Sequence, residues 1–186
     1  MIYFKLDDNI ELKSLEKYDA DALFQLTEQN RTYLRQWLPW LDNVKTVDDT
    51  LDFINGTIEK YNGNKAFDLG IWYKNQLAGT IGLHEIKWET EETAIGYWIG
   101  QSFQGYGLIT KACKFVIDYT FKEFNLKKII IRCGEHNNKS RSIPIRLGLK
   151  EVECLEKAEL LYDRYVNLIV YQITHQEYKN SEIFKI

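Results

Sequence analysis

Residues 94–112, AIGYWIGQSFQGYGLITKA, decide how the rest of the chain is read, because they set a glycine-flanked turn between an apolar strand and an amphipathic helix. Beyond the β-prone AIGYWI, Gly105 and Gly107 bracket Tyr106. Leu108, Ile109, Ala112, Phe115, Val116, Tyr119 and Phe124 then recur at helical spacing, so a helix begins near Gly107 and runs to about Phe124. The first N–H groups of such a helix lack intrahelical partners, and the macrodipole adds positive potential at that end. Residues without Cβ let an anion come close to the main chain, so a pyrophosphate would fit there. Glycines between a strand and a helix also serve as plain turn residues, and on this motif alone the two readings stand level. The absence of Gly-x-Gly-x-x-Gly and of Gly-x-x-x-x-Gly-Lys-Ser/Thr weakens dinucleotide and P-loop readings.

Working outward, KKIIIRC (127–133) has the continuous branched-aliphatic core of a buried strand. Strand, helix and strand make a crossover unit, which allows this strand to lie parallel to its predecessor. A short helix over about 139–147 ends at Gly148, and EVECLEKAELL and YVNLIVYQI around Tyr162-Asp163-Arg164 read as a C-terminal hairpin. On the N-terminal side AFDLGIWY, LAGTIGLHEI and TAIGYWI read as an antiparallel meander. Before them come short strands at 2–6 and 9–14, a helix over 17–29 with Ala20, Leu23, Phe24 and Leu26 inward, and a helix near 47–61. Between these helices lies the aromatic TYLRQWLPWLDN, interrupted by Pro39. The expected fold is α/β: a mixed, largely antiparallel sheet flanked by helices in one domain, 1–178, with 179–186 a loosely held tail.

Composition excludes several classes. A chain of 186 residues, 45% hydrophobic, suits one domain with a real core. Its 24 basic and 27 acidic residues give a formal charge of -3, without the basic excess of a dedicated nucleic-acid binder. Cys113, Cys133 and Cys154 are widely spaced, with no Cys-x-x-Cys pair, so neither a disulfide framework nor a metal site is expected and a reducing cytoplasm fits best. Lys5 and Asp7 come too early for a signal peptide, and no run reaches membrane-spanning length.

YWIGQSFQGYGLITKA followed by CGEHNNKSRSIPIRLGLKEVE resembles the GCN5-related N-acetyltransferases (GNAT), in particular their RimJ/RimL branch, over nearly the whole chain. The resemblance implies that Gln104, Gly105, Tyr106, Gly107, Leu108, Ile109 and Thr110 form the run that binds the pyrophosphate of acetyl-CoA. Ile109 departs from the usual small residue, yet can present its backbone while its side chain packs inward. Backbone groups around Trp98 and Ile99 are implied in holding pantetheine and the developing oxyanion. Asn137 is implied at the pantetheine or phosphate region and Ser140 near the cofactor sulfur, with capping of the helix before Arg141 as its structural alternative. Pro144 removes a donor from that short helix and is tolerable only if the helix starts close before it.

Acetyl transfer to an amine needs a neutral nucleophile, an oxyanion site and a proton for the departing thiolate. Glu159, where the resemblance places a catalytic glutamate, has apolar neighbours Ala158, Leu160 and Leu161 that would raise its pKa; Glu85 is the reserve. A solvated hairpin charge is the structural alternative for Glu159. The resemblance implies that Tyr33, Trp37 and Trp40, with Leu34, Leu38 and Leu41, line the acceptor pocket, although aromatics at helical spacing are more often core or subunit contacts, so only some of them are expected to face a ligand. Arg31 and Arg35 read as solvated charges. Cys113 and Cys133 sit where packing thiols sit, so direct attack in a ternary complex is favoured over a cysteine-borne acetyl. The histidines show no metal-ligand spacing. The resemblance implies an acetyl-CoA-dependent N-acetyltransferase, with the amino terminus of a protein, a ribosomal one in this branch, as acceptor and a homodimer as assembly. Small amines (polyamines, amino acids, dipeptides, aminoglycosides) are the enzymatic alternative. A non-catalytic acyl-CoA-binding module is the alternative from another class.

Overall fold

In the computed structural model, which describes residues 2–62, 66–84 and 86–185, the elements in chain order are β1 (Tyr3–Lys5), β2 (Ile10–Ser14), α1 (Ala20–Gln29), α2 (Arg31–Leu34), α3 (Val47–Asn62), β3 (Asp68–Tyr73), β4 (Gln76–Leu83), β5 (Glu92–Ile99), α4 (Leu108–Phe124), β6 (Lys128–Gly134), α5 (Asn138–Arg146), β7 (Lys150–Leu161), β8 (Arg164–Thr174) and α6 (His175–Asn180). The strand order is β1-β2-β3-β4-β5-β6-β8-β7. The pairs β1–β2, β2–β3, β3–β4, β6–β8 and β7–β8 are antiparallel and β5–β6 is parallel, so the expected mixed, largely antiparallel sheet with flanking helices forms.

The chain divides into two units, Met1–Gly82 with Tyr97–Ala112, and Leu83–Gly96 with Cys113–Ile186. In the first, the apolar stripe of α1 (Ala20, Leu23, Leu26) packs with Leu15, Ile54 and Leu77, and Trp72, Trp98 and Phe103 close over it. Burying such side chains contributes roughly 2 kcal/mol each. Phe24, expected inward, is only half-buried, because the stripe follows the i, i+3 row through Leu23 and Leu26. α3 starts on a reciprocal cap: Thr46 N–H donates to the Asp49 carboxylate at 2.8 Å and Asp49 N–H donates to the Thr46 hydroxyl at 3.3 Å. The Pro39 segment is held shut from within. Arg31 Nη1 donates to the Leu41 carbonyl at 2.6 Å, and Arg35 grips Asp42 with bonds of 2.9 and 2.8 Å. These arginines are clasps rather than the solvated charges expected.

In the second unit β5 pairs with β6 over Glu92–Ala94 and Lys128–Ile130, and β6 pairs with β8 along its length. The returning strand of the C-terminal hairpin is thus inserted next to β6, and β7 is left at the edge. Ala94, Ile130 and Val170 form one small core, with Leu155 against it. α4 buries Cys113, Val116, Ile117 and Phe121. Phe115 instead stacks on Tyr119, Phe124 meets both Tyr119 and Trp88 edge-on, and Phe115, Tyr119 and Phe124 remain partly exposed. In the segment expected as a loose tail, Phe184 is 5% exposed beside Tyr178, and α6, which leads into that segment, is joined to α4 by a 2.7 Å bond from the Tyr178 hydroxyl to Asp118.

Candidate active site

The glycine turn belongs to the first unit. Gly105 (φ 84°) and Gly107 (φ 73°) both take the left-handed conformation that favours glycine, and a Cβ on either would meet nothing within 4 Å. The turn is therefore open on the side where a side chain would stand. Gly107 C=O accepts from Lys111 N–H at 3.0 Å, the bond on which the helical ladder begins, so Leu108 to Thr110 lie in the first turn of α4, where N–H groups have no i−4 carbonyl within the helix. Ile109 is 7% exposed: the bulky departure from the resemblance packs inward and leaves its backbone at the helix start. Tyr106 is 56% exposed and stacks on Tyr73, and Lys111 is tied to Asp7 at 2.6 Å.

Two supports of this turn were not foreseen. Asn30, 9% exposed at the end of α1, donates to Leu26 C=O at 2.8 Å and accepts from Gln101 N–H at 2.7 Å, anchoring the 3-10 turn Gln101–Phe103 just before the glycines. A lone asparagine between two helical runs gives no sequence signal for a bond spanning 71 residues. The second support is Gly79 of β4. A Cβ there would overlap the carbonyl oxygen of Trp98 and come within 2.8 Å of Ile99 Cα. The backbone at Trp98–Ile99, the stretch expected to serve pantetheine, lies against β4 only because residue 79 has no side chain. The Trp98 indole packs in the α1 core and faces Trp40, ring centroids 6.4 Å apart.

In the second unit Asn137 and Ser140 are brought together at the start of α5. Asn137 caps the helix, its side-chain oxygen accepting from Ser140 N–H at 3.1 Å. Ser140 is thus not the cap considered for it; it sits one turn in, with its hydroxyl 3.2 Å from Cys133 Sγ. The helix begins at Asn138, well before Pro144, so the condition set for that proline does not hold. Pro144 instead falls in the last turn, where its missing N–H costs a single bond, to Ser140 C=O.

Glu159 is half-buried on β7, and burial pushes its carboxyl above the ordinary range. Strand pairing places it on a definite face. Glu159 pairs with Val166 and Leu155 with Leu168, on the Val170 side, whereas Cys133 pairs with Ile169 on the other side. Glu159 and Ser140 therefore belong to opposite faces of the β6–β8–β7 strands, and no single face offers both.

Among the expected acceptor residues, Leu34 and Leu41 are core, at 3% and 0% exposure. Tyr33, Trp37 and Leu38 are half-buried, and Trp40 is the most exposed at 36%. Glu85 lies outside the described residues. Cys113 is buried, and burial drives its thiol well above the usual range, which leaves it protonated and inert. Cys154 is exposed on β7 and His136 is exposed beside Asn137. Among the described residues no group of histidine, cysteine and acidic side chains could hold a metal.

Comparison with known proteins follows the same lines. Residues 9–150 match the family described as "Acetyltransferase (GNAT) domain". The chain is 29% identical over 167 residues to the ribosomal-protein-serine acetyltransferase of Escherichia coli (strain K12), spanning 90% of this chain and 93% of that protein. A solved structure of the microcin C7 self-immunity acetyltransferase MccE with acetyl-CoA and AMP superposes with a TM-score of 0.88 at 29% identity, covering 92% of this chain and 95% of that one. RimL, the ribosomal L7/L12 alpha-N-protein acetyltransferase, solved with coenzyme A, shares the fold with a TM-score of 0.90 at 23% identity over 95% and 99% of the two chains. With its glycine turn at the mouth of α4 and a match running from β2 to the start of β7, this chain belongs to the GNAT acetyltransferase family.

Proposed function

We propose that this acetyl-CoA-dependent N-acetyltransferase acts on the α-amino group of a protein, a ribosomal protein as in the Escherichia coli relative and RimL, by direct attack in a ternary complex. The observation that carries the reading is the open turn at Gly105–Gly107, where a Cβ would meet nothing within 4 Å, set directly at the N-terminus of α4, a cradle for the diphosphate of acetyl-CoA. Gln104 through Thr110 supply that cradle. Backbone groups of β5 around Trp98 and Ile99 extend the grip along pantetheine toward the thioester, since β5 runs on to Ile99 after its last pair with β6 at Ala94. Asn137 would hold the cofactor through its Nδ2, its oxygen being committed to the cap.

An α-amine has a pKa of about 8 and arrives mostly protonated near neutrality. Glu159, with its raised pKa, takes one proton from it directly or through water. The freed nitrogen attacks the thioester carbonyl carbon, and backbone N–H groups at Trp98–Ile99 stabilise the oxyanion. As the C–S bond breaks, the Ser140 hydroxyl donates a hydrogen bond to the thiolate, and the second proton lost by nitrogen completes the free thiol. Tyr33, Trp37 and Trp40 wall the acceptor. The absence of cysteine pairing supports a reducing cytoplasm as the place of action. The exposed edge of β7 is the surface through which two copies would join, and light scattering of the purified protein reads that assembly.

The test is release of coenzyme A thiol with peptides bearing free N-terminal serine or alanine, beside spermidine and an aminoglycoside. Peptide-dependent release with acetyl found on the terminal nitrogen is the expected result. Turnover confined to the small amines would transfer the assignment to them.

A further inference from the structure

β7 is not a regular strand. Leu155 pairs with Leu168 and Glu159 with Val166, so the three residues 156–158 stand opposite Asn167 alone. In an unbroken antiparallel ladder the pairing after Leu155–Leu168 would put Lys157 opposite Val166 and Glu159 opposite Arg164. The bulge thus decides whether an acid or a base stands at that point of the sheet. Its middle residue, Lys157, takes φ 47° without being glycine, a conformation that persists only where the surroundings hold it. What holds it is visible. The N–H of Lys157, out of the ladder, donates to Asn167 Oδ1 at 2.8 Å. The same carboxamide donates through Nδ2 to Glu135 Oε2 at 3.1 Å, and Asn167 C=O accepts from Glu135 N–H at 2.9 Å. One half-buried side chain thereby joins β8, the bulge beside Glu159 and the loop that leads to Asn137 and Ser140.

We propose that Asn167 is a positioning residue for acetyl transfer, whose clamp on Lys157 holds the β7 bulge in the register that sets Glu159 opposite Val166. This rests on the reading of Glu159 as the proton acceptor. Asn167 itself touches no reacting atom; it acts through the place it gives the carboxylate. The clamp has two arms of opposite polarity, an accepting oxygen toward Lys157 and a donating nitrogen toward Glu135, so both can be preserved in a swapped form. With Asn167→Asp and Glu135→Gln together, the aspartate still accepts from Lys157 and the amide at 135 donates back.

The full chain is assayed with acetyl-CoA and an acceptor peptide, with acetyl-CoA affinity measured separately by calorimetry. Asn167→Ala should lower kcat by about tenfold or more with acetyl-CoA affinity unchanged within about twofold. The double variant Asn167→Asp with Glu135→Gln should recover most of that loss. Hydrogen exchange at the Lys157 amide should be protected in the native protein and unprotected in Asn167→Ala. If Asn167→Ala folds poorly, a second background decides. Deleting Glu156 and Lys157 gives a regular ladder that keeps Glu159 opposite Val166, and there Asn167→Ala should cost nothing in kcat. Glu159→Gln is run alongside: if it retains full kcat the proton-acceptor reading fails, whereas a crippled Glu159→Gln beside a fully active Asn167→Ala overturns the positioning role alone. An equal loss for Asn167→Ala in the deletion background would also overturn it.

Discussion

Ser140 illustrates how one contact separates two readings of the same residue. Because Asn137 caps α5 by accepting from the backbone N–H of Ser140, replacing the hydroxyl leaves that capping bond in place. Ser140→Ala should therefore keep its melting temperature and acetyl-CoA affinity while kcat falls about tenfold or more, as expected when a donor to a developing charge is removed; steady-state kinetics beside a thermal melt check this. An unchanged kcat would leave the hydroxyl a packing role beside Cys133. Asp68, at the start of β3, gives a residue-scale prediction of another kind. Burial lifts its carboxyl to about 6, outweighing the opposing pull of Lys60. That lies above the ~3.9 of an unfolded chain, so the native state binds the proton more tightly, and stability falls as pH rises from about 4 to 6. Asp68→Asn should raise stability by roughly 1–2 kcal/mol at pH 8 and leave it nearly unchanged at pH 4, read from denaturant unfolding at the two pH values.

Among the elements, the glycine turn and α4 were the most legible, since the helix was expected from Gly107 to Phe124 and spans Leu108–Phe124. Local signals sufficed there: positive-φ glycines, then a strong 3.6-residue period. The caps and clasps were not legible in that way. Asn30 to Gln101, Arg35 to Asp42 and Asn167 to Lys157 join residues whose proximity is made by the fold, and nothing in their neighbours' chemistry announces it. Bulges are equally silent, because the alternation of EVECLEKAELL is too polar to reveal where the register breaks. Gly79 allows a test at this scale. Its open Cα lets the Trp98–Ile99 backbone lie against β4, so Gly79→Val must push that stretch outward. We expect a loss of about 1–3 kcal/mol in stability, of the size found for overpacking, together with a rise in KM for acetyl-CoA. A variant with native stability and native KM would show that β5 has room to move.

For the molecule as a whole, the sequence of strands and helices was readable but their spatial order was not. β8 lies between β6 and β7, a long-range choice that no local pattern in YVNLIVYQI encodes, and the 179–186 segment looked polar enough to be loose although Phe184 is buried. The start of α6, which leads into that segment, carries a pH signature. Glu177 is held down to about 2, chiefly by its bond to Lys150 at 2.6 Å, with help from the N–H and hydroxyl of Thr174. Its native pKa lies below the unfolded ~4.3, so its contribution is complete above about pH 5 and is lost as pH falls toward 2. Because the pair is partly exposed, the contribution is about 1–2 kcal/mol. Glu177→Gln should thus lower the melting temperature at pH 7 and match the native protein near pH 2, as read by calorimetry.

The central claim is that the main chain at the start of α4 grips the diphosphate of acetyl-CoA. Titrating the isotopically labelled protein with acetyl-CoA while following its backbone amides by NMR addresses it directly. The largest shifts should fall on the amides of Tyr106, Gly107, Leu108 and Ile109, and 3′,5′-ADP, which lacks the diphosphate bridge, should fail to reproduce them. Saturable binding of acetyl-CoA that leaves those amides unmoved would contradict the account.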